Sequence, residues 1–315
     1  MEKNTITDTN KITEIILQNK KDLAFIIGNG INRFFNSNIL AWKDLLCSLW
    51  LEIIGVRIID IPKGLGLTEF VDILELKSWN STKPGRNSNQ YLVQKKIQAL
   101  LQEIKPNTNE NPLLMKIQNL DIPILTPNFD ILMEKTLELE FHKLNSTGFT
   151  DFYPWECYYA PQKLTNPLDG FGIWHLNGMI KYFRSIKISM TQYMGNVERA
   201  RKWIHAGSEN SLFKGKNQQN WIGRNSWLHI IFNKSLFIFG FGLEETELFF
   251  RWLLIERAKY FKTFPERSKN GWYLCVENVK EPPNFGRDFF LENSGFSILK
   301  VPQYENIYED VWKNL

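Results

Sequence analysis

Cysteine is scarce in this chain of 315 residues, which contains only three. Cys47, Cys157 and Cys275 lie far apart, and no two of them form a C-x-x-C pair. An odd and sparse set of thiols argues against a disulfide framework and against a structural zinc ribbon. We therefore expect buried, unreactive thiols and no metal site.

Long apolar runs and concentrated charge are missing as well. No apolar run approaches the roughly 20 residues of a membrane span, and the polar N-terminal segment lacks the apolar core of a signal peptide. The 38 basic and 34 acidic residues are interspersed, whereas nucleic-acid-binding proteins usually carry a basic stripe. These absences predict a cytoplasmic protein with no membrane partner and no direct nucleic-acid partner.

Aromatic side chains, in contrast, are abundant. They make up 14% of the residues and include 11 Trp and 23 Phe. Such a content favours a thick core, a buried subunit interface or both. A homo-oligomer is therefore one expectation for this chain.

Six short apolar runs indicate strands, at 22–30, 121–130, 171–178, 234–242, 271–278 and 295–302. Because helical periodicity follows several of them, we expect an α/β, Rossmann-like fold: a mostly parallel sheet with helices on both faces, in a single domain over 1–315. Helical spacing predicts one helical insertion at about 41–120, with an exposed loop at 80–89 inside it. A second helical insertion is predicted at about 181–230.

Four of the runs end in glycine or polar residues, in the stretches GNGINR (28–33), TPNFD (126–130), HLNG (175–178) and GFGLEE (240–245). In an open parallel sheet, ligands bind beyond the carboxyl ends of the strands, so these stretches are expected to meet. Glycine lets backbone N–H groups approach a pyrophosphate, and Arg33 could neutralise a phosphate. A plain tight turn explains the first stretch about as well, because the third glycine of the usual dinucleotide fingerprint is missing.

Ordinary structural roles compete for several of the polar residues. Asp130 could cap a helix predicted from residue 131, and Asn128 could simply form the turn. Glu244 and Glu245 precede a buried helix, so capping is the default explanation for them.

The order of these stretches resembles the sirtuin superfamily. Its signatures are a GAG-x-S-type loop, a T-Q-N-x-D segment, an L-H-G segment and a G-x-S-L segment, all on one Rossmann-like sheet that binds NAD. The resemblance covers the strand-forming segments from about 22 to 300, and TPNFD is its most specific part. Three cysteines cannot build the four-cysteine zinc module of the deacetylating members, so the chain looks closer to the divergent bacterial sirtuin-like proteins of antiphage defence.

The resemblance implies NAD as substrate and no metal. By resemblance, catalysis would rest on Asn128, Asp130, His175 and Asn177. The implied cofactor contacts are Gly28, Asn29, Gly30, Asn32, Arg33, Thr126, Gly240, Gly242 and Glu244.

The catalytic histidine of the L-H-G segment corresponds to Asn177 in this chain. On an extended strand, residues 175 and 177 point to the same face about 7 Å apart, so His175 could still act as a base with a pKa near ~6.5. A histidine hydrogen-bonded within the core is the alternative. His175 and Asn177 could share the catalysis, Asn128 and Asp130 could support hydrolysis without a base, or the site could bind NAD without cleaving it.

These implications favour an NAD glycohydrolase that forms nicotinamide and ADP-ribose. In defence it would act by depleting NAD, under the control of homo-oligomerisation or of a separate sensor subunit. The alternative is a non-catalytic subunit that binds NAD or ADP-ribose. A protein deacylase is disfavoured, because the zinc cysteines are absent.

Overall fold

A computed structural model describes residues 6–80, 89–106, 109, 111–145, 149–205, 209–214, 220–277 and 284–315. Within these ranges the strands are β1 (Leu23–Ile27), β2 (Ile124–Thr126), β3 (Glu140–Lys143), β4 (Cys157–Ala160), β5 (Ile173–His175), β6 (Ser235–Phe239), β7 (Gly271–Val276) and β8 (Ser297–Val301). The helices are α1 (Thr9–Asn19), α2 (Gly30–Phe35), α3 (Trp42–Ile54), α4 (Leu67–Lys77), α5 (Leu92–Glu103), α6 (Asn111–Asn119), α7 (Leu132–Thr136), α8 (Met190–Ile204), α9 (Trp227–Asn233), α10 (Leu248–Thr263), α11 (Phe285–Asn293) and α12 (Tyr304–Tyr308).

All eight strands form one sheet in the order β3-β4-β5-β2-β1-β6-β7-β8. The six strands from β5 to β8 in this order run parallel, and they are the six that the sequence predicts. The expected α/β fold with a mostly parallel, Rossmann-like sheet is confirmed.

The two strands missed by the sequence patterns, β3 and β4, form an antiparallel extension beside β5. The prediction of a long helix after residue 130 was wrong, because α7 ends at Thr136 and the chain turns at Glu138, whose φ is +52°. The following segment alternates leucine and glutamate, which is the period of a half-exposed strand rather than of a helix.

Side chains alternate along the central strands and divide the core into two layers. Ala24 and Ile26 of β1 belong to a core that includes buried residues of α8, α9, α10 and α11. Leu23, Phe25 and Ile27 belong to a second core with α1, α6 and α12. Helices therefore cover both faces of the sheet, as a buried parallel sheet requires.

The two predicted helical insertions have different positions. Helices α3, α4 and α5 form a separate apolar cluster with Phe129 and Ile180, whereas α6 packs against the sheet. In the second stretch, α8 and the start of α9 pack in the main core beside α10. The predicted loop at 80–89 lies outside the described residues except for its two end positions. Among the described helices, none is both long and apolar enough to cross a membrane.

Candidate functional site

A cavity of about 830 Å³ lies at the carboxyl edge of the sheet. It is lined by the loops after β1, β2 and β6, by the last residues of β7 and by the residue at 177 beyond β5. Strands β1 and β6 are neighbours in the centre of the sheet. From β1 the chain continues to β2 on one side, and from β6 it continues to β7 on the other side, so the strand order reverses between β1 and β6. Open parallel sheets bind ligands at such a switch point, and the volume is within the ~300–1,000 Å³ usual for ligand pockets.

The cavity is elongated along the sheet edge. Four strand spacings separate β5 from β7, which amounts to roughly 19 Å at about 4.8 Å per spacing. The predicted helical insertion also lines the cavity, through Trp42 and Leu45 of α3, Leu67 of α4 and Leu100 and Leu101 of α5. An extended ligand with two separate binding groups suits this shape better than a compact one.

The two glycine loops contact each other directly. The N–H of Gly28 donates to the carbonyl of Phe239 at 3.2 Å, and that of Gly30 donates to the carbonyl of Gly240 at 2.8 Å. A Cβ on Gly28 would lie 2.4 Å from the oxygen of Gly240, and one on Gly30 would lie 2.7 Å from its Cα. The glycines are therefore needed for the contact between the loops, and both N–H groups that the sequence reserves for a pyrophosphate are already used.

The remaining residues of the first loop differ in their positions. Asn29, Gly30 and the exposed Arg33 line the cavity, whereas Gly28 and the fully buried Asn32 do not. Asn32 instead places its Nδ2 3.1 Å from Oδ1 of Asn29. Arg33 is thus the cation in this loop that can meet an anionic ligand.

Thr126 has a structural role, not the predicted ligand contact. It is fully buried and does not line the cavity. Its hydroxyl donates to the carbonyl of Ile27 at 2.8 Å and accepts the N–H of Asn128 at 3.2 Å. Thr126 therefore ties β2 to β1 and fixes the turn that carries Asn128.

Asn128 lines the cavity, and the residue is 8% exposed. Its Nδ2 is buried and has no hydrogen-bond partner among the described residues. Its backbone carbonyl accepts a hydrogen bond from Nδ1 of His175 at 2.7 Å. The backbone of Asn128 is therefore fixed, while its amide donor remains available to a ligand.

Asp130 lines the cavity, but it is not the N-cap of the helix that follows, because that position belongs to Ile131. Its Oδ1 accepts the N–H of Leu132 at 3.1 Å, and both carboxyl oxygens lie 3.4 Å from Nδ2 of Asn32. Burial, followed by the negative charge of Glu134, raises the pKa of Asp130 from 3.8 to about 6. This carboxyl is ionised at neutral pH but at a cost in free energy.

His175 does not reach the cavity. It lies beneath the sheet edge, where its Nε2 is 2.9 Å from Oε1 of Glu134 and its Nδ1 faces the carbonyl of Asn128. Burial lowers its pKa, but the charge of Glu134 and the two hydrogen bonds outweigh this and raise the pKa above 6.5. Both ring nitrogens act as donors to these two acceptors, so His175 is a buried imidazolium that holds the Asn128 turn. The expectation that it serves as a base in the pocket is corrected.

The sequence argument about residues 175 and 177 failed because β5 ends at His175. Strand alternation no longer applies at Asn177, and Gly178 follows with a φ of +95°. Asn177 is only 3% exposed and does line the cavity. Its Nδ2 lies 3.5 Å from the hydroxyl of Tyr193, and its Oδ1 has no partner among the described residues.

Tyr193 of α8 and Glu247 complete this end of the cavity, and sequence analysis missed both. The hydroxyl of Tyr193 lies near the Glu247 carboxylate and lowers its pKa, and Oε2 of Glu247 is buried without a partner among the described residues. Burial, followed by the charge of Glu244, raises the pKa of Glu247 from 4.5 to about 7. Because α10 begins at Leu248 and no side chain caps it, the expected capping by Glu244 and Glu245 was wrong.

The rim and the far end of the cavity hold the remaining predicted residues and several new ones. Gly240, Gly242 and Glu244 line the cavity, as expected. The loop that carries them is held by Tyr273, whose hydroxyl donates to the carbonyl of Phe241 at 2.8 Å. Beyond it, this end is formed by Tyr273, Cys275, Arg287, Tyr304 and Tyr308. Nothing in the motif pattern marked these residues, because they come from β7, α11 and α12 far along the chain.

The site therefore places a donor at Asn128, acceptors at Asn177 and Glu247 and a carboxyl at Asp130 at one end, with aromatic residues at the other. No protein-family model matches the chain, and no curated protein shows a significant match to its sequence. In the part of the chain that the structure describes, no group of three or more His, Cys, Asp or Glu residues could hold a metal ion.

Proposed function

We propose that this chain hydrolyses NAD to nicotinamide and ADP-ribose in the cavity at the switch point. The observation that carries the proposal is the set of unpartnered buried polar atoms at one end of that cavity: Asn128 Nδ2, Asn177 Oδ1 and Glu247 Oε2. An unsatisfied buried polar group costs about 1–3 kcal/mol, and in native structures such groups call for a ligand or another specific explanation. Ribose hydroxyls and water supply both the donors and the acceptors that these atoms lack.

The charge of the site suits cleavage of the nicotinamide–ribose bond. This reaction passes through an oxocarbenium-like state, and nicotinamide leaves as a neutral molecule, so the protein need not supply an acid. In the proposed pose, the Asp130 carboxylate stabilises the developing positive charge and Asn128 orients the ribose or the attacking water. Arg33 meets the pyrophosphate, and the aromatic end beyond Tyr273 receives the adenosine.

A second candidate is a subunit that binds NAD or ADP-ribose without cleaving it. It is favoured by one observation: His175, the predicted base, does not line the cavity and is held by Glu134 and the carbonyl of Asn128. This candidate keeps the cavity and its ligand and removes only the reaction.

Incubation with NAD, followed by separation of nicotinamide, distinguishes the two. We expect the wild type to release nicotinamide, and Asn128→Ala to reduce the rate by two orders of magnitude or more. Asn293→Ala, on the exposed end of α11, is the matched control and should behave as wild type. NAD binding with no release at any protein concentration supports the second candidate.

We further propose that assembly controls the activity, either as a homo-oligomer or with a sensor subunit. Apolar side chains support this, because Ile59 is 94% exposed, Leu76 69% and Trp79 58%, all in the helical insertion. Light scattering of the wild type and of Leu76→Glu tests it. An unchanged mass together with an unchanged rate contradicts control through this surface.

The proposed biological role, depletion of NAD during antiphage defence, rests on the sirtuin-like sequence pattern. Its test is the NAD content of infected bacteria that express the wild type or Asn128→Ala. A fall in NAD that is confined to infected cells with the wild type supports the role, and equal NAD levels in both contradict it.

A further inference from the structure

The carboxylate of Glu247 faces the cavity from a position that the proposed reaction has not yet used. Although the residue is partly exposed, its Oε2 is buried and lacks a partner among the described residues. The negative charge of Glu247 suits its place at the N-terminus of α10, but its side chain makes no capping hydrogen bond to that helix. The helix therefore does not use the oxygen that faces the cavity.

Tyr193 links this carboxylate to Asn177. The hydroxyl of Tyr193 lies near the Glu247 carboxylate and lowers its pKa, and it accepts a hydrogen bond from Nδ2 of Asn177 at 3.5 Å. Because the amide nitrogen of Asn177 is directed to Tyr193, its Oδ1 remains as an acceptor without a partner. Two free acceptors, Asn177 Oδ1 and Glu247 Oε2, thus line the same cavity as the free donor of Asn128.

This arrangement can hold a water molecule with its protons directed to the two acceptors. We propose that Glu247 is the catalytic base of the site and accepts a proton from the water that attacks the nicotinamide ribose. Tyr193 and Asn177 are positioning residues. This inference rests on the proposed hydrolysis of NAD.

The reaction balances with water as the second reactant. The water oxygen bonds to C1′ of the ribose as the bond from C1′ to the nicotinamide nitrogen breaks. The electron pair of that bond returns to the ring nitrogen and cancels its positive charge. One water proton moves to Glu247 and from there to solvent, so that the products are nicotinamide, ADP-ribose and a proton.

The ionisation of Glu247 agrees with this role. Burial, followed by the charge of Glu244, raises its pKa to about 7, and the hydrogen bond from Tyr193 opposes this rise. Asp130, from the loop after β2, is a buried carboxyl that also lines the cavity. Arg251, one turn along α10, donates to the carbonyl of Leu243. A base is most effective with a pKa near the working pH, where enough of it is ionised to accept a proton.

The test compares wild type, Glu247→Gln and Glu245→Gln. The last is a matched control, since Glu245 is exposed in the same loop and does not line the cavity. We expect Glu247→Gln to lower kcat about 100-fold or more, the usual contribution of a general base, while KM and ADP-ribose affinity stay within about threefold. The wild-type kcat should fall as the pH drops below about 7, and the residual rate of Glu247→Gln should lack this dependence.

Tyr193→Phe tests the assignment through the pH dependence of kcat, which should not shift if Tyr193 has only a structural role. Removing the hydroxyl removes a hydrogen bond that lowers the pKa of Glu247, so the acidic limb of kcat should move to higher pH. An unmoved limb argues against the assignment of that limb to Glu247.

The outcomes separate this inference from the proposed function. Unchanged kcat and an unchanged pH profile in Glu247→Gln overturn the role of Glu247 and leave NAD hydrolysis standing. If ADP-ribose affinity falls as much as kcat, Glu247 supports the fold or the ligand and is not the base. Wild-type protein that binds NAD but never releases nicotinamide overturns both proposals.

Discussion

Replacing Asp130 by asparagine tests whether the buried, ionised carboxylate of Asp130 lowers the stability of the folded protein. Burial and the charge of Glu134 raise the pKa of Asp130 from 3.8 to about 6. Asparagine has nearly the shape of the protonated acid but never ionises. The variant should therefore match the wild type in acid and exceed its stability above neutral pH.

The size of the effect follows from the pKa. A rise from 3.8 to about 6 is a roughly 150-fold gain in proton affinity on folding, and each factor of ten corresponds to about 1.4 kcal/mol. Because the folded state binds the proton more tightly, the contribution of Asp130 to stability is fully present below pH 3.8 and is lost as the pH rises through about 6. At pH 8 we expect Asp130→Asn to be more stable by about 3 kcal/mol.

The assay is urea unfolding followed by tryptophan fluorescence, from pH 4.5 to pH 8. Other groups, such as the buried His229, whose pKa is lowered by burial to about 4, titrate in both proteins and cancel in the difference. Asp44→Asn, at an exposed position of α3, is the control and should change little at any pH. A stability difference that stays constant with pH would refute the reasoning, and the stabilised variant should also lose nicotinamide release.

Three further predictions concern the fold around the cavity. His175→Gln breaks the buried ion pair between His175 and Glu134 and should lower the free energy of unfolding by about 3–5 kcal/mol in urea titrations. A loss of stability under about 1 kcal/mol contradicts the assignment of His175 as an imidazolium. The loss should be largest below pH 6.5, since a raised pKa stabilises the protonated state. Gly30→Ala would place a Cβ within 2.7 Å of the Gly240 backbone and should cost about 1–3 kcal/mol in unfolding titrations. Gly286→Ala is the control and should cost nothing, because its Cβ would meet only the Asn284 side chain, at an ordinary contact distance of 3.9 Å. Equal effects of the two substitutions contradict the loop contact. Arg33→Ala should weaken NAD binding, measured by calorimetry, more at low salt than at high salt. Because Arg33 is exposed, the melting temperature should not fall. Unchanged affinity at low salt contradicts the contact between Arg33 and the pyrophosphate.

The candidate site was only partly predictable from sequence. Asn128 and Asp130 were found because a polar turn directly follows a buried strand, and the edge of a parallel sheet must gather such turns. Glu247 and Tyr193 were missed because Tyr193 lies on α8 and Glu247 directly precedes α10, so their proximity depends on how these two helices pack. No local pattern carries that information.

His175 shows why local geometry misleads at the end of a strand. Alternation predicts its direction only while the chain stays extended, and β5 ends at that residue. Its partner Glu134 lies on α7, a helix of five residues that the sequence pattern extended too far. The imidazole ring of His175 therefore pairs with Glu134 instead of lining the cavity.

The sequence by itself determined the six parallel strands, several of the helices between them and the edge where polar turns collect, because hydrophobic periodicity is read from residues close together along the chain. Tertiary structure decided which buried polar atoms have no hydrogen-bond partner. It also decided that the N–H groups of the first glycine loop bond to the strand and loop beside it, and that Asp130 is buried deeply enough to raise its pKa. The physical reason is that hydrogen bonding and desolvation depend on groups that are distant in sequence and become neighbours only when the layers pack.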